Sequence, residues 1–395
     1  MPLRRRRKRG RSHARLALAR QSIRIGVMTH RERVIAALEH RQPDRVPKDL
    51  GSARVTGIVK AAYDNLRAHL GFGEPGAVLD RMQQVVSVDE RILRLFDVDV
   101  RAVSQGPPDR GGDKELGPNR YRDEWGVVRS QPPGCHYYEL DGSPMAGEIS
   151  VADIARYPWP DPSDPGRHRH LREQARRLCE ETDFAVMYNA RFNPVHTMQY
   201  LRGFEDWYLD LGGNHELFQS LIEVVSAIML EWNRLALLEL APYVDVVSFG
   251  DDVGLEDRAV CSLPLYRRLI RPVHERFAQL VRQHSQAKIF YHTCGSVYAL
   301  LPDFIEMGID ALNPVQVTAR NMQPEKLQRE FGGRIAFWGG IDSRRLLPCG
   351  TPAEVRAEAQ RMSELMGAGG GYVLAAVHNI QPDVPPENVC ALFGA

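Results

Sequence analysis

His292 and Cys294 carry the first chemical signal of this chain. They follow the apolar run Ala287-Lys288-Ile289-Phe290-Tyr291 and precede Gly295. Alternate side chains of a strand share a face, so the imidazole and the thiol project together while Thr293 projects away. The pair is half of a soft metal site, because zinc takes nitrogen and sulfur donors and a catalytic zinc keeps one position open. The competing reading is a buried Cys acting as a small apolar residue beside a hydrogen-bonded His.

Other polar residues gather where apolar runs end. Asp251 and Asp252 follow the run 244–249. Adjacent carboxylates can serve as acid and base, hold a substrate, or orient a ligating His; a helix N-cap followed by a solvated acid is the plainer alternative. Asn313 and Gln316 flank Pro314, and Asp342 follows Gly339-Gly340-Ile341. Asp49 stands near the end of 46–50. All four read either as substrate contacts or as turn and cap residues. Arg191, after 184–188, is an anion anchor or a surface Arg. His378 and Asn379 end the last run.

Positioning such residues requires strands that end at one face. From residue 244 onward, strand patterns at 244–249, 289–291, 309–312, 334–338 and 372–377 alternate with helical ones near 263–284, 297–307, 324–330 and 352–366. Thr351 is an expected N-cap, and Pro385-Pro386-Glu387-Asn388 opens a last helix. The first half is less regular, with strand candidates at 46–50, 96–103 and 184–188 and a helix pair between Trp207 and Leu240. Thr29-His30-Arg31-Glu32 is a capping box. Alternation of this kind means an α/β fold with a parallel sheet. Bland strand starts and polar strand ends point to a single TIM-like (β/α)8 barrel with its site at the C-terminal face. An open doubly wound sheet would lead us to expect a phosphate-binding Gly turn after a strand; GxxxxGK[ST] does not occur, and the GxGxxG match at 71–76 follows none of the strand candidates. Residues 104–170, rich in Gly, Pro, Asp and Arg, read as an inserted loop region with small hairpins at 121–129 and 137–140.

Composition narrows the setting. The chain has 395 residues and a formal charge of +1, but residues 1–27 hold ten of the 51 Lys and Arg and no acid. The rest carries 41 basic against 50 acidic residues, a net of −9. The basic run is expected to be a disordered tail or an upstream mis-called start, with Met28 as the alternative beginning, so no nucleic-acid partner is expected. Six scattered Cys without framework spacing suit a reducing cytoplasm. No apolar run approaches the ~18 residues of a membrane span.

The motifs together resemble the uroporphyrinogen decarboxylase superfamily. The resemblance rests on Met28-Thr29-His30-Arg31-Glu32-Arg33-Val34, Pro43-Asp44-Arg45-Val46-Pro47, Asp251-Asp252-Val253-Gly254, His292-Thr293-Cys294-Gly295 and Asn313-Pro314-Val315-Gln316. It continues through Phe337-Trp338-Gly339-Gly340-Ile341-Asp342, His378-Asn379-Ile380 and Pro385-Pro386-Glu387-Asn388. It covers most of residues 28–395, most weakly 104–180, and implies one TIM-like barrel.

The superfamily holds two chemistries. Its decarboxylases remove carboxylates from a tetrapyrrole without a cofactor, using arginines in a Met-Arg-Gln-Ala-Gly-Arg context that is absent here and a late His at the place of His378. Its corrinoid methyltransferases bind zinc through a His-x-Cys pair and a Cys in the last strand. This chain has the pair, but His378 stands where the late Cys would be. The resemblance therefore implies zinc held by His292, Cys294 and His378, with His378 also a catalytic residue; of the paired carboxylates, Asp252 is the one expected to be catalytic. Asp49, Arg191, Asp251, Asn313, Gln316 and Asp342 are expected to face substrate. The leading expectation is a zinc-dependent methyltransferase moving a methyl group between a small thiol, methyl ether or amine and a cobalamin. The cobalamin would come on a corrinoid partner protein, since no Asp-x-His-x-x-Gly motif is present. A metal-free decarboxylase of a porphyrinogen or other polycarboxylate is the alternative, with His378 as acid–base group and Arg54 or Arg191 as anchors. A non-catalytic corrinoid- or tetrapyrrole-binding barrel is the third reading. Analogy with the decarboxylases implies a homodimer.

Overall fold

The computed structural model describes residues 27–394, so the basic segment lies outside the described residues except for Val27. Seven parallel strands form one curled sheet in chain order: β1 (Val100–Ser104), β2 (Ala185–Asn189), β3 (Val246–Gly250), β4 (Lys288–His292), β5 (Ala311–Asn313), β6 (Ala336–Trp338) and β7 (Tyr372–Val373). The expected first strand at 46–50 is reduced to one parallel bridge, Lys48 to Leu374. It still joins the two edges: Asp49 N–H reaches Leu374 O at 2.9 Å on one side, and Asp99 N–H reaches Lys48 O at 2.9 Å on the other. Helices pack outside, which is the TIM-like architecture.

Residue parity sorts the side chains. Val100, Ala185, Met187, Val246, Phe290, Ala311, Ala336, Trp338 and Val373 form one apolar cluster. The residues between them, such as Val186, Tyr188, Val247, Ile289 and Tyr291, belong to the larger cluster beneath the helices. Small Ala and Val beside Phe290 and Trp338 let those rings meet edge to face at 5.1 Å inside the barrel. Fully burying each such ring contributes about 1.5–3 kcal/mol. His292 shares the parity of Phe290, so it faces the interior at the mouth. Gly250 lies opposite His292 in the register, and a Cβ there would sit 3.0 Å from that of His292.

Both expected caps form. Thr29 and Thr351 each close a capping box, with Glu32 and Glu354. Several boundaries differ from the sequence pattern for local reasons. The expected helix at 263–284 is broken at Ile270 into Leu263–Leu269 and Arg271–His284, because Pro272 has no N–H to continue the ladder. The expected strand 96–103 begins only at Val100, since helix Glu90–Leu95 ends at Phe96 and Asp97 turns left-handed at φ 55°. Past Val373, Leu374 bridges Lys48 while Ala376 bridges Ile341. The last strand therefore splits between two neighbours before it reaches His378.

The insert is a four-stranded antiparallel meander, Lys114–Gly117, Arg120–Arg122, Val128–Ser130 and Glu139–Gly142. It is latched over the mouth. Tyr138 N–H donates to Met82 O at 2.8 Å, and Gln381 Nε2 donates to Tyr137 Oη at 2.6 Å. Glu124 accepts from both Arg191 and Arg167.

Candidate metal centre

The structure brings His292, Cys294 and His378 together, with their donor atoms all within 4.8 Å of one another. His292 ends β4, Cys294 follows at the same parity, and His378 arrives from beyond β7. Cys294 Sγ lies 3.5 Å from His292 Nε2. The rings of His292 and His378 meet edge-on at 5.7 Å.

The ring of His292 is set by its neighbour strand. Asn313 Nδ2 donates to Trp338 O at 2.9 Å, which turns Asn313 Oδ1 toward His292 Nδ1 at 2.5 Å. That oxygen can only accept, so Nδ1 carries the proton and Nε2 offers its lone pair to the cluster. A ligating His oriented by an amide oxygen is the arrangement that metal sites use.

Burial and charge suit a cation. Burial, opposed by Asp252 and Asn313, holds His292 below the usual imidazole range. Burial and the neighbouring His292 push His378 down to about 4. Burial and the Asp252 carboxylate push the Cys294 thiol well above its ordinary value. Two neutral imidazoles and a half-buried thiol thus lack the positive charge that a thiolate needs, and a metal ion would supply it. The N, S, N donor set fits zinc. The 3.5 Å separation matches the ~3.5 Å edge of a tetrahedron with Zn–N of ~2.0 Å and Zn–S of ~2.3 Å.

Asp252 and Asp251 point to different tasks. Asp252 Oδ1 accepts the Cys294 N–H at 2.7 Å and stands 3.8 Å from His292 Nε2; its Oδ2 lies 3.5 Å from His196 Nε2. Burial alone would raise this carboxyl, but the hydrogen bond and charge of His196 outweigh it and hold Asp252 well below the usual carboxylate range. Asp251 is fully buried and faces away from the cluster. It accepts Val195 N–H at 2.8 Å, His196 N–H at 2.9 Å and His274 Nε2 at 3.1 Å. It therefore pins the start of helix Pro194–Arg202.

The remaining expected residues are spread around this centre. Gln316 Oε1 accepts Gly295 N–H at 2.7 Å, fixing the turn behind Cys294. Asp342 accepts Arg344 N–H at 2.8 Å on a cavity wall. Arg191 lines another cavity, paired to Glu124 at 3.0 Å. Asp49 lies inside the barrel, 1% exposed, where it accepts Trp338 Nε1–H at 2.8 Å and touches none of the three cavities described here.

Two of these cavities meet at the cluster. One, of about 480 Å³, lies under the insert and is lined by Arg54, Tyr121, Trp125, Arg191, His196, Asp252, His292 and His378. It continues into the barrel through a small chamber shared at Gly250 and His292. The other, of about 570 Å³, is lined by Tyr137, Glu256, Asp252, Cys294, Gln316, Asp342, Arg344 and His378. His196 is the residue that sequence reasoning missed. It follows no strand end directly, and the only local signal is Pro194, which marks a helix start at the mouth.

A pH effect arises from His378. An unfolded chain takes up a proton at this position below about 6.5, whereas the folded metal-free protein refuses it until about 4. Stability from this group is present above pH 6.5 and is lost as pH falls toward 4. The loss is up to about 3 kcal/mol at ~1.4 kcal/mol per pKa unit. Urea unfolding of metal-free protein at pH 7 and 4.5 should show this slope, and His378→Asn should flatten it. An unchanged slope in the variant would contradict the assignment.

Comparison with known proteins adds family and fold. The family model described as Uroporphyrinogen decarboxylase (URO-D) matches residues 134–395, about two thirds of the chain. Methylcobamide:CoM methyltransferase MtaA of Methanosarcina barkeri is 26% identical over 180 residues, 46% of this chain and 48% of that protein. Uroporphyrinogen decarboxylase of Paraburkholderia phytofirmans is 29% identical over 130 residues, 32% of this chain and 34% of that protein. These matches span about half the length of the curated relatives or less. A solved methyltransferase from Methanosarcina mazei superposes with a TM-score of 0.63 at 18% identity, covering 93% of this chain and 98% of that one. That likeness speaks for the fold.

Proposed function

This chain belongs to the uroporphyrinogen decarboxylase family, and from that premise we propose that it is a zinc-dependent methyltransferase acting between a small methylated or thiol substrate and a corrinoid. The observation that carries the reading is the His292, Cys294, His378 cluster with its Asn313-oriented imidazole. A metal-free decarboxylase has no use for a half-buried Cys held 3.5 Å from an imidazole lone pair. Similarity to MtaA supports the same branch.

The residues divide the work. His292 and His378, neutral at pH 7, and Cys294 as thiolate would hold the metal. Zinc bound there would supply Lewis acidity, either keeping a thiol as its thiolate or drawing electrons from the oxygen of a methyl ether. Asp252 remains an anion, so it orients a donor group of the substrate without taking its proton. The insert, through Tyr121 and Trp125, shields the cavity beneath it from water. A reaction between two partners needs two approaches, and the two cavities that meet at the cluster offer them. No helix among the described residues is long and apolar enough to cross a membrane. We place the enzyme in the cytoplasm, with its cobalamin on a separate corrinoid protein and a second copy of this chain as a dimer partner.

The test is methyl transfer followed by the absorbance of cobalamin, with panels of thiols, methyl ethers and methylamines. Activity that disappears on chelation and returns with zinc is expected. Decarboxylation of a porphyrinogen that survives chelation would overturn the proposal and make His378 an acid–base residue.

A further inference from the structure

The Asp252 carboxylate stands beside the donor cluster but outside the group whose atoms all lie within 4.8 Å of one another. Its Oδ1 is 3.8 Å from His292 Nε2, close to the ~3.5 Å that separates two ligands of one tetrahedral zinc. A fourth protein ligand would leave no position for substrate, since structural zinc sites are closed and catalytic ones are open. Two contacts hold Asp252 back. Cys294 N–H occupies Oδ1 at 2.7 Å, and the His196 ring faces Oδ2 at 3.5 Å.

We propose that His196 is a positioning residue that keeps the Asp252 carboxylate off the metal held by His292, Cys294 and His378, and so preserves one open coordination position. The proposal rests on the metal reading above.

The support for His196 is built in layers. Its backbone N–H donates to Asp251 Oδ1 at 2.9 Å, and its Nδ1 lies 3.3 Å from the same oxygen. Asp251 is in turn held by buried His274 at 3.1 Å. The ring therefore sits between two carboxylates, with Tyr200 stacked on its other side at 6.1 Å. Burial opposes its charge, but the hydrogen bonds to Asp251 and Asp252 outweigh burial and raise its pKa well above the ordinary value. A cation on Oδ2 competes with the metal for Asp252. The backbone N–H of Cys294 alone is a weaker restraint, because it is neutral.

The test uses the full chain loaded with zinc, transferred to a chromogenic chelator, alongside the absorption spectrum of the cobalt(II)-substituted protein. His196→Ala is expected to release zinc about tenfold more slowly than wild type, the scale on which neighbouring groups alter metal affinity. The cobalt spectrum should change with it, and activity should fall. His196→Asn, closer in shape, should do the same and covers the case in which the alanine variant does not fold. Adding Asp252→Asn to either variant should restore wild-type release. A merely structural His196 would loosen the site and speed release. Unchanged or faster release with an unchanged cobalt spectrum therefore overturns the proposal while leaving the metal reading intact. A wild-type protein that takes up no zinc overturns both.

Discussion

Cys294→Ala is expected to abolish zinc retention while the protein remains folded. The cluster offers three donors, and losing one leaves two neutral imidazoles. Changing a group that merely orients a ligand costs 10–100-fold in metal affinity or activity, so removing a ligand itself should cost more than about 100-fold. The fold should tolerate the change. The thiol packs as a small apolar group, and the Cys294 N–H that Asp252 accepts is backbone and survives. Thermal stability of the metal-free variant should match that of the metal-free wild type within about 1 kcal/mol. His292→Ala should also lose the metal but is less clean, since it leaves buried Asn313 Oδ1 without its partner, at about 1–3 kcal/mol. Mass spectrometry of purified protein gives the answer: about one zinc per chain in wild type and none in Cys294→Ala. Full retention of zinc in both variants would sink the site.

Asp251→Ala should be the most destabilising single change near the site. The carboxylate accepts two N–H groups at the start of helix Pro194–Arg202 and the Nε2 of fully buried His274. His274 Nδ1 already has no partner among the described residues, so the variant leaves that imidazole without any there. Leaving a buried donor without its acceptor costs about 1–3 kcal/mol, and the variant does so at more than one group. Asp251→Asn, which keeps an acceptor, should cost less. Urea unfolding compares them, and a loss under about 1 kcal/mol for the alanine variant would show that the network is dispensable. Because Asp251 seats the helix carrying His196, the alanine variant should also disturb Asp252, which links stability here to the state of the metal site.

Much of this arrangement is legible before any coordinates exist. The spacing of His292 and Cys294 places both on one face of a strand, and the Gly and Pro around them mark the strand's end. Thr29 and Thr351 announce their helices through contacts only three residues long. The strand–helix alternation after residue 244 determines a parallel sheet with polar ends. Other features are invisible in the pattern. Asp251 and Asp252 are both expected at the site, yet Asp251 is turned back to seat a helix and only Asp252 faces the cluster. Asn313 reads as a turn residue until β5 pairs with β4 and brings its amide onto His292 Nδ1. Asp49 reads as a strand-end polar group but serves Trp338 inside the barrel. His196 has no local signature of a role.

Sequence alone determined most of the strand and helix alternation after residue 244 and the parity that puts His292 and Cys294 on one face, because helical and strand periodicities are properties of a few consecutive residues. Tertiary structure alone decided that His378 comes within 4.8 Å of that pair, which lone pair His292 presents, and which aspartate reaches the site. Those outcomes depend on how the barrel closes between Lys48 and Leu374 and on how buried polar groups from distant segments satisfy one another.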